Sequence, residues 1–221
     1  MNKKYISIML IFIAVAFIVG FAVRTSFINA NSVGVNDLEK FKIMRIGTIS
    51  EDNLSLSNLI NDSDVVVRGK ALDEKMYLHG ATMRQFKVDI VFKGDKDIKD
   101  TTVYIFEPSY FDFTHNLFYI YCGYNLMKDG EEYILFLKKW PYTNYLRYNP
   151  YYKNKNIYVL SHNNGIDKYS VNDHLLTKVV SDSQEYYGQI SQYDFCGYSK
   201  DEVNKYNKVK SEVLNYFVQV K

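Results

Sequence analysis

Four histidines (His79, His115, His162 and His174) and two cysteines (Cys122 and Cys196) are the residues best suited to metal ligation or nucleophilic chemistry. The histidines are scattered, and no two sit four apart, the spacing that puts a pair of ligands on one helical face. They read as loop histidines. Asp112 precedes His115 by one turn's spacing, and Glu131-Glu132 follows Gly130, so an acid and a base can be written at either place. Adjacent carboxylates beside a glycine are more commonly a solvated turn. There is no Gly-x-Ser-x-Gly elbow, phosphate loop or dinucleotide fingerprint, since Gly123, Gly130 and Gly165 stand alone. The sequence predicts no catalytic residue, no metal and no cofactor.

Cys122 and Cys196 form an even pair. In an oxidising compartment they could close a loop of about 75 residues, stabilising the fold by roughly 4 kcal/mol on chain-entropy grounds. Two buried free thiols are the other reading, and the sequence leaves both open.

The most unusual feature is aromatic. Half of the chain's aromatic residues fall between Tyr104 and Tyr158. Those that alternate within strands belong to a core. Others fall where loops are expected, among them Tyr110, Phe111, Phe113 and Trp140, followed by Tyr145, Tyr148, Tyr151 and Tyr152. Tyrosine combines contact area with a polar tip, which suits a protein, an oligosaccharide or a membrane interface. These eight are the candidate binding surface, unless the loops fold over a barrel end and bury their rings.

Charge narrows the partners. Lys3 and Lys4 precede an uncharged run from Tyr5 to Val23, and beyond them 25 basic residues balance 25 acidic ones. A neutral domain lacks the basic excess that releases counterions from phosphates, so nucleic acid is set aside. The nineteen uncharged residues would span roughly 28 Å as a helix, close to a bilayer's hydrocarbon thickness. The two lysines ahead of them predict a single-pass anchor with a cytoplasmic N-terminus and the remainder extracytoplasmic. The alternative is a cleaved signal and a secreted product, with Ile28 and Ala30 at the cleavage positions.

The elements that must position these residues follow in order. Residues 24–50 have no clear period and read as a tether, although Phe41 to Ile46 could add a short strand. Leu54, Leu56, Leu59 and Ile60 recur at helical spacing, and Asn61 to Asp64 ends that helix. Val65 to Val67 read as a strand that Gly69 bends or bulges. Phe86, Val88, Ile90 and Phe92 alternate with polar neighbours as one half-buried face. Thr102 to Phe106 forms a further strand, and Tyr133 to Leu137, apolar on both faces, a central one. Ile157 to Leu160 and Ile166 to Tyr169 flank Asn164-Gly165, a hairpin signal. Ser199 opens a C-terminal helix with Glu202 in a capping box, an Asp201–Lys205 pair outside, and a stripe from Val203 to Phe217 docking on the core.

The order from Ser63-Asp64-x-Val66-Val67-x-Gly69 through Phe86-x-Val88-x-x-Val91-x-Lys93-Gly94 and Val103-x-Ile105-x-x-Pro108 to Gly130-Glu131-Glu132-Tyr133-Ile134-Leu135-Phe136-Leu137 resembles a group of uncharacterised bacterial secreted or membrane-anchored proteins. Their domain is similar to the five-stranded OB-type barrel of tissue inhibitors of metalloproteinases and netrin modules. The likeness covers residues 56–139 and more weakly extends to about 170. The chain departs from it in the aromatic insert between Pro108 and Met127, and it lacks the cysteine-initiated N-terminus with which those inhibitors engage zinc. The resemblance implies a fold and a location, and carries over no catalytic residue.

The expected architecture is mainly β, an OB-like antiparallel β-barrel with flanking helices, divided into an anchor or signal (1–24), a tether (25–50) and an extracytoplasmic domain (51–221). The expected role is contact with an envelope protein or oligosaccharide, without catalysis. A cell-envelope hydrolase using loop carboxylates, or an inhibitor of an envelope protease, is the alternative.

Overall fold

The structure is a computed structural model. It describes residues 3–26, 35–49, 55–141, 152–161, 166–172, 174, 176–180 and 185–218. The chain forms two compact units, Met1–Val33 and Gly34–Lys221.

The first unit is a 24-residue helix, α1 (Lys3–Ser26). The side chains described on it are Tyr5 and those from Met9 to Val23, and all are exposed. Over the described residues, no helix is long and apolar enough to cross a membrane.

In the second unit, five strands close into a barrel: β2 (Val65–Leu78), β3 (Ala81–Lys93), β4 (Thr102–Glu107), β7 (Glu132–Lys139) and β8 (Ile157–Leu160). Their ring order is β2-β3-β4-β8-β7, and β7 pairs back onto β2. Four of the five pairings are antiparallel, but β4 meets β8 in parallel over Tyr104–Phe106 and Ile157–Val159. The barrel is therefore not purely antiparallel as expected. Residues 108–156 carry the chain away from β4 and back before β8 returns alongside it in the same direction.

Gly69 sits opposite a bulge in β3, where Asp89 is the extra residue between the partners of Arg68 and Gly69. The register with β3 shifts between Arg68 and Gly69, and a Cβ at position 69 would sit 2.0 Å from the Lys87 carbonyl oxygen. The bulge has a second consequence on β3. Phe86 and Val88 point inward, but past the shift it is Val91 that is buried, while Ile90 is 37% exposed. Simple alternation placed Ile90 inside; one extra residue moves a strand's side chains to its other face. On β7, Tyr133 to Leu137 are all buried, because this strand is flanked by β2 on one side and by β8 and β9 (Lys168–Ser170) on the other.

The hairpin expected around Asn164-Gly165 does not form. β8 and β9 do not pair with each other; both run antiparallel to β7, one beyond the other. The Ser161 amide donates to Phe136 O and the Phe136 amide to Asp167 O, so the chain leaves β7 and rejoins it in the same direction. Residues 162–165, with His162, lie outside the described residues.

The segment read as a tether joins the domain. α2 (Val35–Leu38) leads into β1 (Lys42–Ile46), whose Ile43 is buried together with Phe41. β1 pairs in parallel with β6 (Leu117–Tyr121), which pairs with β5 (Tyr110–Asp112). The aromatic insert thus joins β1 in a second, three-stranded sheet. It continues through a Cys122-Gly123 turn, both residues at positive φ, into Tyr124, which bridges to β11 (Phe195–Gly197). β11 pairs with β10 (Thr177–Val179). The short helix α4 (Tyr187–Ile190) brings Tyr187 against Phe111 and Phe118, with ring centroids 4.8 and 4.5 Å apart.

Two helices pack on one side of the barrel. α3 (Leu56–Asp62) starts at Ser55, whose hydroxyl accepts from the Asn58 amide. Leu54 lies outside the described residues. α5 (Lys200–Phe217) starts at Ser199, whose hydroxyl accepts from the Glu202 amide. The Glu202 carboxylate reaches back to the Tyr198 amide at 2.6 Å, and Lys205 pairs with Asp201 at 2.6 Å. Leu59 of α3, and Tyr206, Val209, Val213 and Phe217 of α5, share one apolar cluster with Val66, Ile134 and Phe136 of the barrel. Here the helical periodicity is the cause of the docking: these α5 positions fall on one face.

A buried ionic centre ties α5, β9 and β11 together. Lys168 and Asp194 are 1% and 0% exposed at their side chains, with Nζ 2.7 Å from Asp194 Oδ1. Nζ also donates to the carbonyls of Asn125 and Asp194, at 2.8 and 2.9 Å, and lies over the Tyr124 and Tyr133 rings. The Tyr206 hydroxyl is 2.8 Å from Asp194 Oδ2 and 2.9 Å from Lys168 O. Burial pushes the Asp194 carboxyl up, but the charge and hydrogen bond of Lys168, with Lys210 and Tyr206, hold it below the ordinary range.

Candidate functional site

A cleft of about 560 Å³ opens where one end of the barrel meets the three-stranded sheet, within the 300–1,000 Å³ typical of ligand pockets. The tip of the β2–β3 hairpin, Leu78 to Ala81, forms one wall. It projects because β2 and β3 run on past the stretch of β2 that pairs with β7. Phe106 to Pro108 at the end of β4, with Val159 of β8, form the floor. Trp140 and Tyr152 stand on the connection from β7 to β8, and Ile46, Tyr110 and Tyr121 face them from the second sheet.

The rings in this cleft stand at angles. Phe106 meets Trp140 at a centroid distance of 5.3 Å and 61°, and Tyr152 at 6.5 Å and 55°. Tyr110 stacks on Tyr119 at 4.9 Å. Among the described residues, the Trp140 indole N–H and the Tyr110 and Tyr121 hydroxyls meet no hydrogen-bond partner.

Glu107 is the one carboxylate in the described lining, and it is fully buried. Its Oε1 accepts from Arg84 Nε at 2.8 Å. Its Oε2 accepts from the Tyr124 hydroxyl at 2.9 Å and the Met127 amide at 2.7 Å. Arg84 continues to Asp129, which Lys75 also holds at 2.7 Å. Burial alone would lower the Arg84 guanidinium, but Glu107 and Asp129 outweigh it and raise it above its ordinary value. With three donors on its oxygens, Glu107 braces the cleft floor and is not poised for proton transfer.

The expected binding residues divide. Tyr110, Trp140 and Tyr152 line the cleft. Phe111 does not: it is 3% exposed, in a ring cluster with Phe41, Tyr77, Phe118 and Tyr187 that Phe113 joins from the edge. Strand alternation on β5 turns Phe111 inward and leaves Tyr110 and Asp112 half-buried. Tyr145, Tyr148 and Tyr151 lie outside the described residues. Sequence reasoning missed Phe106 and the hairpin tip, and left Tyr121, an aromatic of the same insert, outside the eight. Phe106 did carry a signal, since on an alternating strand whose Val103 and Ile105 are buried a phenylalanine on the opposite face has no core to join.

The other candidate groups have structural partners. Of the two readings left open for Cys122 and Cys196, the structure has the two buried free thiols and no bridge. The Cys196 amide donates to Gly123 O at 2.8 Å, but the Cys122 thiol faces the Thr48 carbonyl at 3.5 Å and the Cys196 thiol the Asn125 side chain at 3.9 Å. Burial, aided by Glu202, pushes Cys122 up to about 11, so it is not a nucleophile at neutral pH. Burial also pushes Cys196 up, to about 12. Asp112 takes His115 Nδ1 at 2.7 Å and the Thr114 amide at 2.9 Å, a closed surface turn. Glu131 meets Asn172 and His174, while Glu132 pairs with Arg68 at 2.6 Å. Among the described residues, no group of three or more His, Cys, Asp or Glu is arranged to hold a metal.

Compared with known proteins, the chain matches no family model and no curated relative. The functional reading rests on the geometry above.

Proposed function

We propose that this chain is a membrane-tethered, extracytoplasmic contact module that binds an envelope protein or oligosaccharide in the aromatic cleft. The observation that carries this is the cleft itself, with ring faces, and donors that have no partner among the described residues, gathered at one end of a closed barrel. The ring order, with its single parallel pair between the third and fifth barrel strands, supports an OB-type barrel. Barrels of that type bind oligomers with the loops joining strands one to two and four to five. Here those are the Leu78–Ala81 tip and the connection bearing Trp140 and Tyr152, an argument by fold analogy. The tether is proposed from Lys3, Lys4 and the uncharged run Tyr5 to Val23. A hydrolase would want two carboxyls facing one bond, whereas the described lining holds only the braced Glu107.

Trp140 is the only tryptophan, so its emission reports on the cleft. The full chain in mild detergent is titrated with a panel of extended peptides and a panel of neutral oligosaccharides. A saturable change with at least one member, lost in Phe106→Ala, is expected. No response to either panel would refute the reading.

A further inference from the structure

We propose that the cleft takes a proline-rich peptide in the extended polyproline II form; this rests on the reading of the cleft as the contact site. Three observations point to that occupant.

The first is the polarity of the lining. A sugar hydroxyl both donates and accepts, so a sugar site is served best by side chains with fixed donor and acceptor geometry. The described lining includes no Asn, Gln, Asp or Arg; its side-chain acceptors are His79, the phenol oxygens and one carboxylate, and both oxygens of that carboxylate already accept from Arg84, Tyr124 and the Met127 amide. Among the described residues, what remains open can donate to a carbonyl: the Trp140 indole N–H, which only donates, and the phenols of Tyr110 and Tyr121, which donate or accept. A proline chain is the complement, since proline has no amide N–H and offers only carbonyl acceptors. The partial positive charge of the open donors meets the partial negative charge of those carbonyls.

The second is ring geometry. Trp140 and Tyr152 stand at 61° and 55° to Phe106, so the floor is a set of slots between ring faces and not one flat shelf. Polyproline II has three residues per turn and a rise of about 3.1 Å per residue, presenting ridges of pyrrolidine rings that seat in aromatic-lined grooves.

The third is charge. The one lining carboxylate is buried against Arg84, so selection falls on shape and carbonyl placement and not on flanking charges. The helix is also preformed before it binds, so little ordering entropy opposes docking.

The test uses the full chain in non-denaturing detergent and follows Trp140 emission against three probes: acetylated, amidated decaproline; a Gly-Ser decapeptide; and chitohexaose. A saturable change with decaproline alone is expected. Tyr121→Phe, which keeps the ring and removes the donor, should weaken it by roughly threefold to tenfold. Tyr152→Ala should weaken it by about tenfold or more, each variant first shown to melt like the parent by circular dichroism. Saturation by chitohexaose without decaproline would overturn the proline proposal and leave the contact reading standing. An equal response to the Gly-Ser peptide would also overturn it, and silence with all three would overturn both.

Discussion

Tyr169 and Tyr206 are stacked neighbours, with centroids 5.3 Å apart and planes at 22°, and both are fully buried. Replacing either by phenylalanine removes one oxygen and leaves packing alone, yet the two substitutions should act in opposite directions. The Tyr206 hydroxyl lies 2.8 Å from Asp194 Oδ2, and a hydrogen bond to a buried charged group is worth about 1.5–3 kcal/mol. Tyr206→Phe should cost that much, because Asp194 stays buried against Lys168 with one donor fewer. The Tyr169 hydroxyl has no hydrogen-bond partner among the described residues, and an unpaired buried hydroxyl costs roughly 1–3 kcal/mol. Tyr169→Phe should be neutral or stabilising. Urea unfolding of the full chain, followed by far-ultraviolet circular dichroism, reads the difference. With a slope of about 2 kcal/mol per molar, Tyr206→Phe should lower the midpoint by roughly 1 M, while Tyr169→Phe leaves it unchanged or raises it. Equal losses in the two variants would refute this reasoning, since only the Tyr206 hydroxyl has a charged partner to lose.

Other expectations concern the bulge, a half-buried lysine and the thiols. Gly69→Ala drives a Cβ into the Lys87 carbonyl and should cost about 1–3 kcal/mol or more, lowering Tm in a thermal melt; an unchanged Tm would mean the bulge is not fixed. Burial, reinforced by the charge of Lys168, brings the Lys128 ammonium down to about 7. Between there and the unfolded value near 10.4 the unfolded chain holds the extra proton, so the lysine's penalty is full below pH 7 and fades as pH rises. The stability advantage of Lys128→Met over the parent should therefore shrink from pH 6 to pH 10, and a gap that stays constant would contradict the placement. Alkylation in denaturant without reductant should add two groups, at Cys122 and Cys196, by intact mass; no addition would reveal a bridge.

Legibility in the sequence followed the range of the physics involved. The cap at Ser199, the stripe from Tyr206 to Phe217, the bend at Gly69 and the central position of Tyr133 to Leu137 are local signals, and the structure carries each of them. The flip between Ile90 and Val91 escaped because a bulge is set by two strands together, and alternation is read from one. The β8–β9 interruption read as a hairpin because Asn-Gly favours a two-residue turn, whereas the flanking strands both run antiparallel to β7 and do not pair with each other. The Lys168–Asp194 pair was invisible because its partners are separated in sequence and meet only through β11. In the cleft, Tyr110, Trp140 and Tyr152 were legible by composition. Tyr121 is an aromatic of the same insert as Tyr110, but composition does not say which insert rings reach the cleft; that is fixed only when β6 pairs with β1 and β5.

A single tryptophan gives a single indole N–H resonance, and this group is a donor in the lining of the cleft. On titrating the ¹⁵N-labelled full chain with decaproline, the account predicts that this resonance moves downfield, saturates with the peptide and becomes protected from solvent exchange. An indole signal that stays in place while the peptide binds, or that shifts identically in Tyr152→Ala, would contradict it.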